Sequence, residues 1–264
     1  MNESTRAMWN DSSDDYFANT ADYERDLAAI KADPSKAFPR NVWAMLQAAM
    51  PDWKGKRVLV PSSGSNKIAF GFHLLGASLT STDIAENQLR NAAKYADANG
   101  WQIDFRQADS MTLDGIEDEA YDLVFTSNGV HVWISDLEMM YRTFHRVLKP
   151  GGSFVFFETH PFNRPFSDKG GKLRVKKPYT ETGPFNDPPE YAWRTEDILR
   201  SLLTAGFRIE DYRDMQSYPD EIMAFAWHYS SYKEREKDQL AKYDWKRNES
   251  AALPSWIGVG ATKV

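Results

Sequence analysis

Polar groups able to bind or react stand directly behind the apolar runs of this sequence. Pro61-Ser62-Ser63-Gly64-Ser65-Asn66 follows "RVLV", Thr82-Asp83-Ile84 closes "SLTSTDIA", and Ala108-Asp109-Ser110 follows "IDFRQ". Thr126-Ser127-Asn128, with His131 just beyond, ends "YDLVFTSN", and Glu158-Thr159-His160 ends "GGSFVFFETH". A carboxylate at 83, downstream of the Gly64 loop, is placed to accept both hydroxyl hydrogens of a ribose. One at 109 can accept from the exocyclic amine of adenine. Each has a plainer reading as well, Asp83 as a helix cap and Asp109-Ser110 as an ordinary turn. Their joint placement favours a nucleoside site. Histidine titrates near neutrality, so His131, then His160, then His228 are the candidates for a general base, against a packing role for each.

These groups need a scaffold that brings strand ends together. From about residue 56, apolar runs alternate with helical patterns at the spacing of βαβ units. "RVLVP" reads as a strand, "NKIAFGFHLLGA" as its crossover helix, "SLTSTDIA" as a second strand and "AENQLRNAAKYADANG" as a helix stopped at Gly100. "IDFRQAD", "YDLVFTSN" and "PGGSFVFFETH" supply further strands, with "SDLEMMYRTFHRVL" between the last two as a helix that Ser135 can cap, with Glu138 three residues on. This order predicts an α/β fold with a mainly parallel sheet and helices on both faces. In such sheets ligands bind outside the carboxyl ends of the strands.

Residues 1–55 read as an N-terminal cap of one or two helices, with "NVWAMLQAAM" amphipathic, ahead of a domain over 56–264. Two excursions interrupt that domain, at about 161–193 and 216–254, both lid-like in length and poor in periodicity. "RTEDILRSLLTAGF", "RIEDYRDM" and "SWIGVGATKV" resume as a helix and two strands. Aromatic side chains outside the core, Trp9, Tyr16 and Phe17 near the start, Phe162, Phe166, Tyr179, Phe185, Tyr191 and Trp193 in the first excursion, and Tyr218, Phe225, Trp227 and Tyr229 in the second, point either to a closed apolar pocket or to satellite packing under long loops.

Composition narrows the class. The 264 residues are 42% hydrophobic, ample for a core, and no apolar run reaches the roughly 18 residues that would span a bilayer. The chain lacks cysteine, which removes disulfides, thiolate nucleophiles and sulfur-ligated zinc, and fits a cytoplasmic protein. A net charge of −6 argues against nucleic acid as the main partner. The basic stretch "RPFSDKGGKLRVKK", residues 164–177, reads as a solvated loop.

The segment "YDLVFTSNGVHVWISDLEMMYRTFHRVLKPGGSFVFFE", with "STDIAENQL" and "ADSMTL" before it, resembles the class I S-adenosylmethionine-dependent methyltransferases, of the small-molecule group related to UbiE and methyltransferase type 11. The resemblance is firm over about half the chain. It implies a Rossmann-like, seven-stranded sheet, S-adenosyl-L-methionine as cofactor, S-adenosyl-L-homocysteine as product, and a small organic acceptor methylated on nitrogen, oxygen or sulfur. It further implies cofactor contacts from Pro61, Ser62, Ser63, Gly64, Asp83, Ile84, Gln88, Ala108, Asp109, Ser110, Ser127 and Asn128, with Tyr16 closing over them. No metal is expected, because the position after "YDLVFT" supplies Asn128 and no aspartate pair.

The first motif departs from the family's V-L-D-x-G-x-G-x-G, since Val60, Ser62 and Asn66 stand where an acidic residue and two glycines are usual. A cofactor without a pyrophosphate tolerates that change, because the backbone need not wrap a diphosphate. "NDPPE", residues 186–190, echoes the (N/D)-P-P-aromatic motif of amino methyltransferases, but lies in the first excursion and reads as a rigid turn. Two other functions stay open on this reading: a non-catalytic cofactor sensor or scaffold, and a nicotinamide-dependent oxidoreductase, which the missing G-x-G-x-x-G turn disfavours.

Overall fold

The structure is a computed structural model that describes every residue except 1, 2, 19, 170, 219 and 223–242. Its core is a seven-stranded sheet of order β3-β2-β1-β4-β5-β9-β8. The strands are β1 (Arg57–Val60), β2 (Ser78–Asp83), β3 (Asp104–Gln107), β4 (Tyr121–Thr126), β5 (Leu148–Thr159), β8 (Phe207–Met215) and β9 (Trp256–Lys263). The first five pair in parallel, and β9 runs antiparallel between β5 and β8. Chain progression runs outward from β1 to β3, then returns to place β4 on the other side of β1. The resulting crevice between the carboxyl ends of β1 and β4 is the switch point at which open α/β sheets bind ligands.

Strand side chains alternate between two buried faces. Val58, Val60, Leu123, Phe125, Val155 and Phe157 pack into one apolar cluster, while Leu59, Val124, Phe154 and Phe156 pack into the other. Period-two alternation of apolar residues to both sides is what a sheet covered twice requires. The helices α6 (Leu137–Val147) and α7 (Thr195–Thr204) cover the second face through Tyr141, Phe144, Ile198 and Leu202. The first face is covered by α3 (Arg40–Ala49) and α4 (Lys67–Leu74), through Met45, Leu46, Ile68 and Phe72. A fully buried Phe such as Phe125 contributes about 1.5–3 kcal/mol through area removed from water, so these layers dominate stability.

The N-terminal segment holds three helices where the sequence suggests one or two: α1 (Glu3–Ala18), α2 (Thr20–Ala32) and α3. A 3-10 turn at Pro34–Ala37 packs directly on α4, where a Cβ added at Gly71 would stand 2.5 Å from the Cβ of Ala37. α1 lies along α5 (Glu86–Ala98), tied by Arg6 to Glu86 and by the Asn10 side chain to the Asn87 amide at 3.0 Å. The cap of α6 differs from expectation as well. Asp136, one residue later than Ser135, accepts from the Met139 amide at 2.9 Å, because a carboxylate holds that orphan donor more strongly than a hydroxyl.

The excursion at 161–193 contains a hairpin that aperiodic sequence concealed, β6 (Phe166–Lys169) with β7 (Lys172–Val175). "NDPPE" does form a turn, closed by Phe185 and Glu190 exchanging both backbone hydrogen bonds. Most of the second excursion, including Phe225, Trp227, His228 and Tyr229, lies outside the described residues.

Candidate functional site

The loop after β1 explains its own sequence. Ser62, Gly64 and Asn66 all have left-handed backbones, at φ 49°, 50° and 59°. These are the positions at which the resembled motif carries glycine, the residue that adopts this region at no steric cost. The two substitutions offset the penalty by hydrogen bonding. Ser62 Oγ meets Ser110 Oγ at 2.7 Å, Asn66 Nδ2 donates to the Gly64 carbonyl at 2.8 Å, and Asn66 Oδ1 accepts from Ser81 Oγ at 2.6 Å. Tyr23 of α2 donates to the Ser65 carbonyl at 2.6 Å and so ties the N-terminal segment to the same loop.

Asp83, at the end of β2, accepts from the Gly64 amide at 2.9 Å with one oxygen and from the Ala85 amide at 2.9 Å with the other. Burial pushes its carboxyl above the ordinary range, against the lowering effect of these amides. A carboxylate oxygen has a second lone pair, so both remain able to accept from a diol. Gln88, on the first turns of α5, is 1% exposed, and neither end of its amide finds a partner among the described residues. A buried amide costs free energy unless a hydrogen bond compensates, so both ends of this side chain are available to a polar partner. Asp109 Oδ1 accepts from the Met111 amide at 2.9 Å, which fixes the turn after β3.

At the end of β5, the Glu158 carboxylate accepts four backbone amides, from Gly129, Val130, His131 and Thr159 at 2.7–3.2 Å. It therefore shapes the segment after β4 from beneath. The ring of His131 is buried away from the cavity, with Nε2 3.0 Å from Tyr141 Oη and Phe156 packed against it. Burial lowers its pKa. His160 is fully buried, its Nδ1 accepting from the Phe162 amide at 3.2 Å and its Nε2 2.8 Å from Asp214. The amide at Nδ1 puts the proton on Nε2, which donates to Asp214. The two histidines read from sequence as candidate bases are thus engaged inside the protein, and neither lines the cavity.

That cavity, of about 680 Å³, lies over the carboxyl ends of the strands. Its wall includes Ser62, Ser63, Gly64, Asp83, Ile84, Gln88, Asp109, Ser110, Ser127 and Asn128, all expected as contacts. Pro61 and Ala108 sit in the same strand-end loops without lining it, and the Tyr16 side chain lies outside the described residues. Trp9 and Thr159, named from sequence as a pocket aromatic and a strand-end group, lie on this wall too, whereas Lys67, Trp133, Arg164 and Glu190 on it went unread. Trp9 and Trp133 meet edge to face at 5.7 Å, joining α1 to the segment after β4. The aromatics of the first excursion pack elsewhere. Tyr191 stacks on Trp193 at 5.4 Å, whose indole donates to the Ile134 carbonyl, and Phe162 is largely exposed. Among the described residues no group of three or more potential metal ligands comes together.

The residues fit S-adenosylmethionine. A diol acceptor stands at Asp83, a buried amide without a partner at Gln88, and at Gly64 a Cβ would meet nothing within 4 Å, which leaves that side of the loop open to a ligand. The strand order is the α/β, Rossmann-like fold that solved S-adenosylmethionine-dependent methyltransferases also have, with the cavity over its strand ends. In sequence, residues 59–156 match the family model described as a methyltransferase domain. Among solved structures, the S-adenosylmethionine-dependent methyltransferase from Mesorhizobium loti shares the fold at TM-score 0.63 and 22% identity, over 84% of this chain and 97% of its own. A putative one from Listeria monocytogenes does so at 0.59 and 20%, over 84% and 98%. In sequence, the ubiquinone/menaquinone biosynthesis C-methyltransferase of Bartonella tribocorum is 29% identical over 63% of this chain and 68% of its own length. An uncharacterised protein of Mycobacterium tuberculosis is 28% identical over 57% of this chain, which spans 53% of that relative.

Proposed function

We propose that the protein transfers a methyl group from S-adenosylmethionine to a nitrogen, oxygen or sulfur atom of a small organic acceptor. The observation that carries this reading is the pairing of Asp83, held by the Gly64 and Ala85 amides, with the unpartnered amide of Gln88 on one cavity wall. When bound, the cofactor would supply a methyl group already electrophilic on its sulfonium, for an acceptor lone pair to take with the carbon–sulfur electrons left on sulfur. The chain's own work is binding, alignment and exclusion of water. Ser62, Ser63 and Gly64 form the floor beside β1, and Ser127 and Asn128 the floor beside β4. His131 and His160 act as positioning residues in this reading, because their rings are committed to Tyr141 and to Asp214. An acceptor with a lone pair available near neutral pH needs no base from either.

The cavity's size supports a small acceptor, and the net charge of −6 speaks against a nucleic acid. We place the protein in the cytoplasm on its cysteine-free composition. No described helix is long and apolar enough to cross a membrane. Calorimetric titration with S-adenosylmethionine, S-adenosylhomocysteine and a nicotinamide dinucleotide tests the reading. Binding of the first two alone is the expected result. If neither binds, the proposal fails, and binding without methyl transfer to any acceptor would favour a sensor.

A further inference from the structure

Arg164 stands out among the charged groups of the cavity. It follows β5 and the 3-10 turn Pro161–Asn163, and its side chain lies on the cavity wall, partly buried. Lys67, the other cation on that wall, is paired with Asp26 at 2.6 Å. Arg164 has no such partner: among the described residues its guanidinium makes no hydrogen bond and no carboxylate comes within ion-pair distance. The two acidic groups whose charge it feels are Glu158 and Glu190. Glu158 is already engaged by four backbone amides, and Glu190 shares the cavity wall without pairing. A guanidinium carries five N–H donors in a planar fork, and on this wall they face the cavity without a protein acceptor among the described residues. The geometry a fork satisfies best is the pair of oxygens on a carboxylate.

The strand order places this fork. Asp83 and Gln88 belong to the β2 side of the sheet, and Arg164 follows β5, three strands away across β1 and β4. Neighbouring strands lie roughly 4.8 Å apart, so about 14 Å of sheet separates the two ends of the site. The nucleoside end is thus remote from Arg164.

We infer that Arg164 is the specificity-determining residue that holds a carboxylate of the methyl acceptor, and so that the acceptors are small organic acids. The inference rests on the methyl-transfer reading, and its test separates the two. The full chain, saturated with S-adenosylhomocysteine, is titrated with benzoate, salicylate, anthranilate and sarcosine, each beside its methyl ester. Turnover of the salicylate, anthranilate and sarcosine pairs, each with a hydroxyl or amine to accept the methyl, is followed with methyl-labelled S-adenosylmethionine. Acids should be preferred over their esters by about tenfold to a hundredfold, the range of a charge-assisted bidentate contact. R164M should erase that preference with S-adenosylhomocysteine affinity within about twofold of the parent, and R164K should keep part of it, since lysine retains the charge without the fork. Circular dichroism checks that both variants fold. Equal treatment of acids and esters by the parent chain, or binding of no acid, overturns the inference. So does a tenfold loss of S-adenosylhomocysteine affinity in R164M, which would give the guanidinium to the cofactor's own carboxylate. Failure of the parent chain to bind either cofactor form overturns the methyl-transfer reading instead.

Discussion

At Ser62, Gly64 and Asn66 one backbone requirement is met by two kinds of chemistry. Glycine meets it with freedom, and Ser62 and Asn66 meet it with side-chain hydrogen bonds that offset a left-handed backbone. Valine at 64 has neither remedy, because a β-branched residue at positive φ is strained by about 1–2 kcal/mol and has no polar atom to compensate. Gly64→Val should therefore leave a folded protein that has lost S-adenosylhomocysteine binding by at least tenfold, measured by calorimetry beside circular dichroism. Asp83 adds a pH dependence. Its carboxyl is raised by burial, and a diol binds best to the ionised form. Cofactor affinity should fall as pH is lowered through that raised value, and Asp83→Asn should bind weakly at every pH. Titrations across the acid range check both. That Ser62, Gly64, Asp83 and Asp109 meet on one cavity wall was legible in the sequence because each ends or follows closely on a recognisable strand. Arg164, Glu190 and Trp133 were not, since an aperiodic stretch carries no signal for which side chains turn inward.

Elements meet at Glu158. The strand β5 delivers this carboxylate under the segment after β4, where it collects the amides of Gly129, Val130 and His131 in place of water. Truncation leaves those donors buried and unpaired. Glu158→Ala should lower unfolding free energy by about 3 kcal/mol, and Glu158→Gln by less, because its amide oxygen still accepts. Chemical denaturation of the two variants measures this directly. The sequence reading gave every strand of the central sheet, whose apolar runs are short, dense and bounded by turn residues. It missed the β6–β7 hairpin, whose strand β7 is mainly exposed and so leaves no buried pattern, and it placed the cap of α6 one residue early because Ser135 and Asp136 are both good caps.

At the scale of the whole molecule, acid should be the weak direction. Burial holds His131 and His160 below the ordinary histidine value, and His73 and His145 are lowered likewise. A histidine depressed in the folded state binds its proton more readily once unfolded. The stability it contributes is full above the unfolded value of 6.5 and is lost as pH falls through the folded one. Denaturant midpoints should drop as pH falls below 6.5, and His131→Asn should flatten that slope. A midpoint that rose on acidification would contradict this account.

The contact between Trp9 and Trp133 has an optical and kinetic side. Two indoles from distant parts of the chain share one wall, so the wall is continuous only while the first helix is docked. Undocking of that helix would part the two rings, and their emission would report it. Stopped-flow emission on mixing with S-adenosylhomocysteine should show a phase that Trp133→Phe loses while the other eight of the chain's nine tryptophans remain, and an identical trace in that variant would place the helix still during binding.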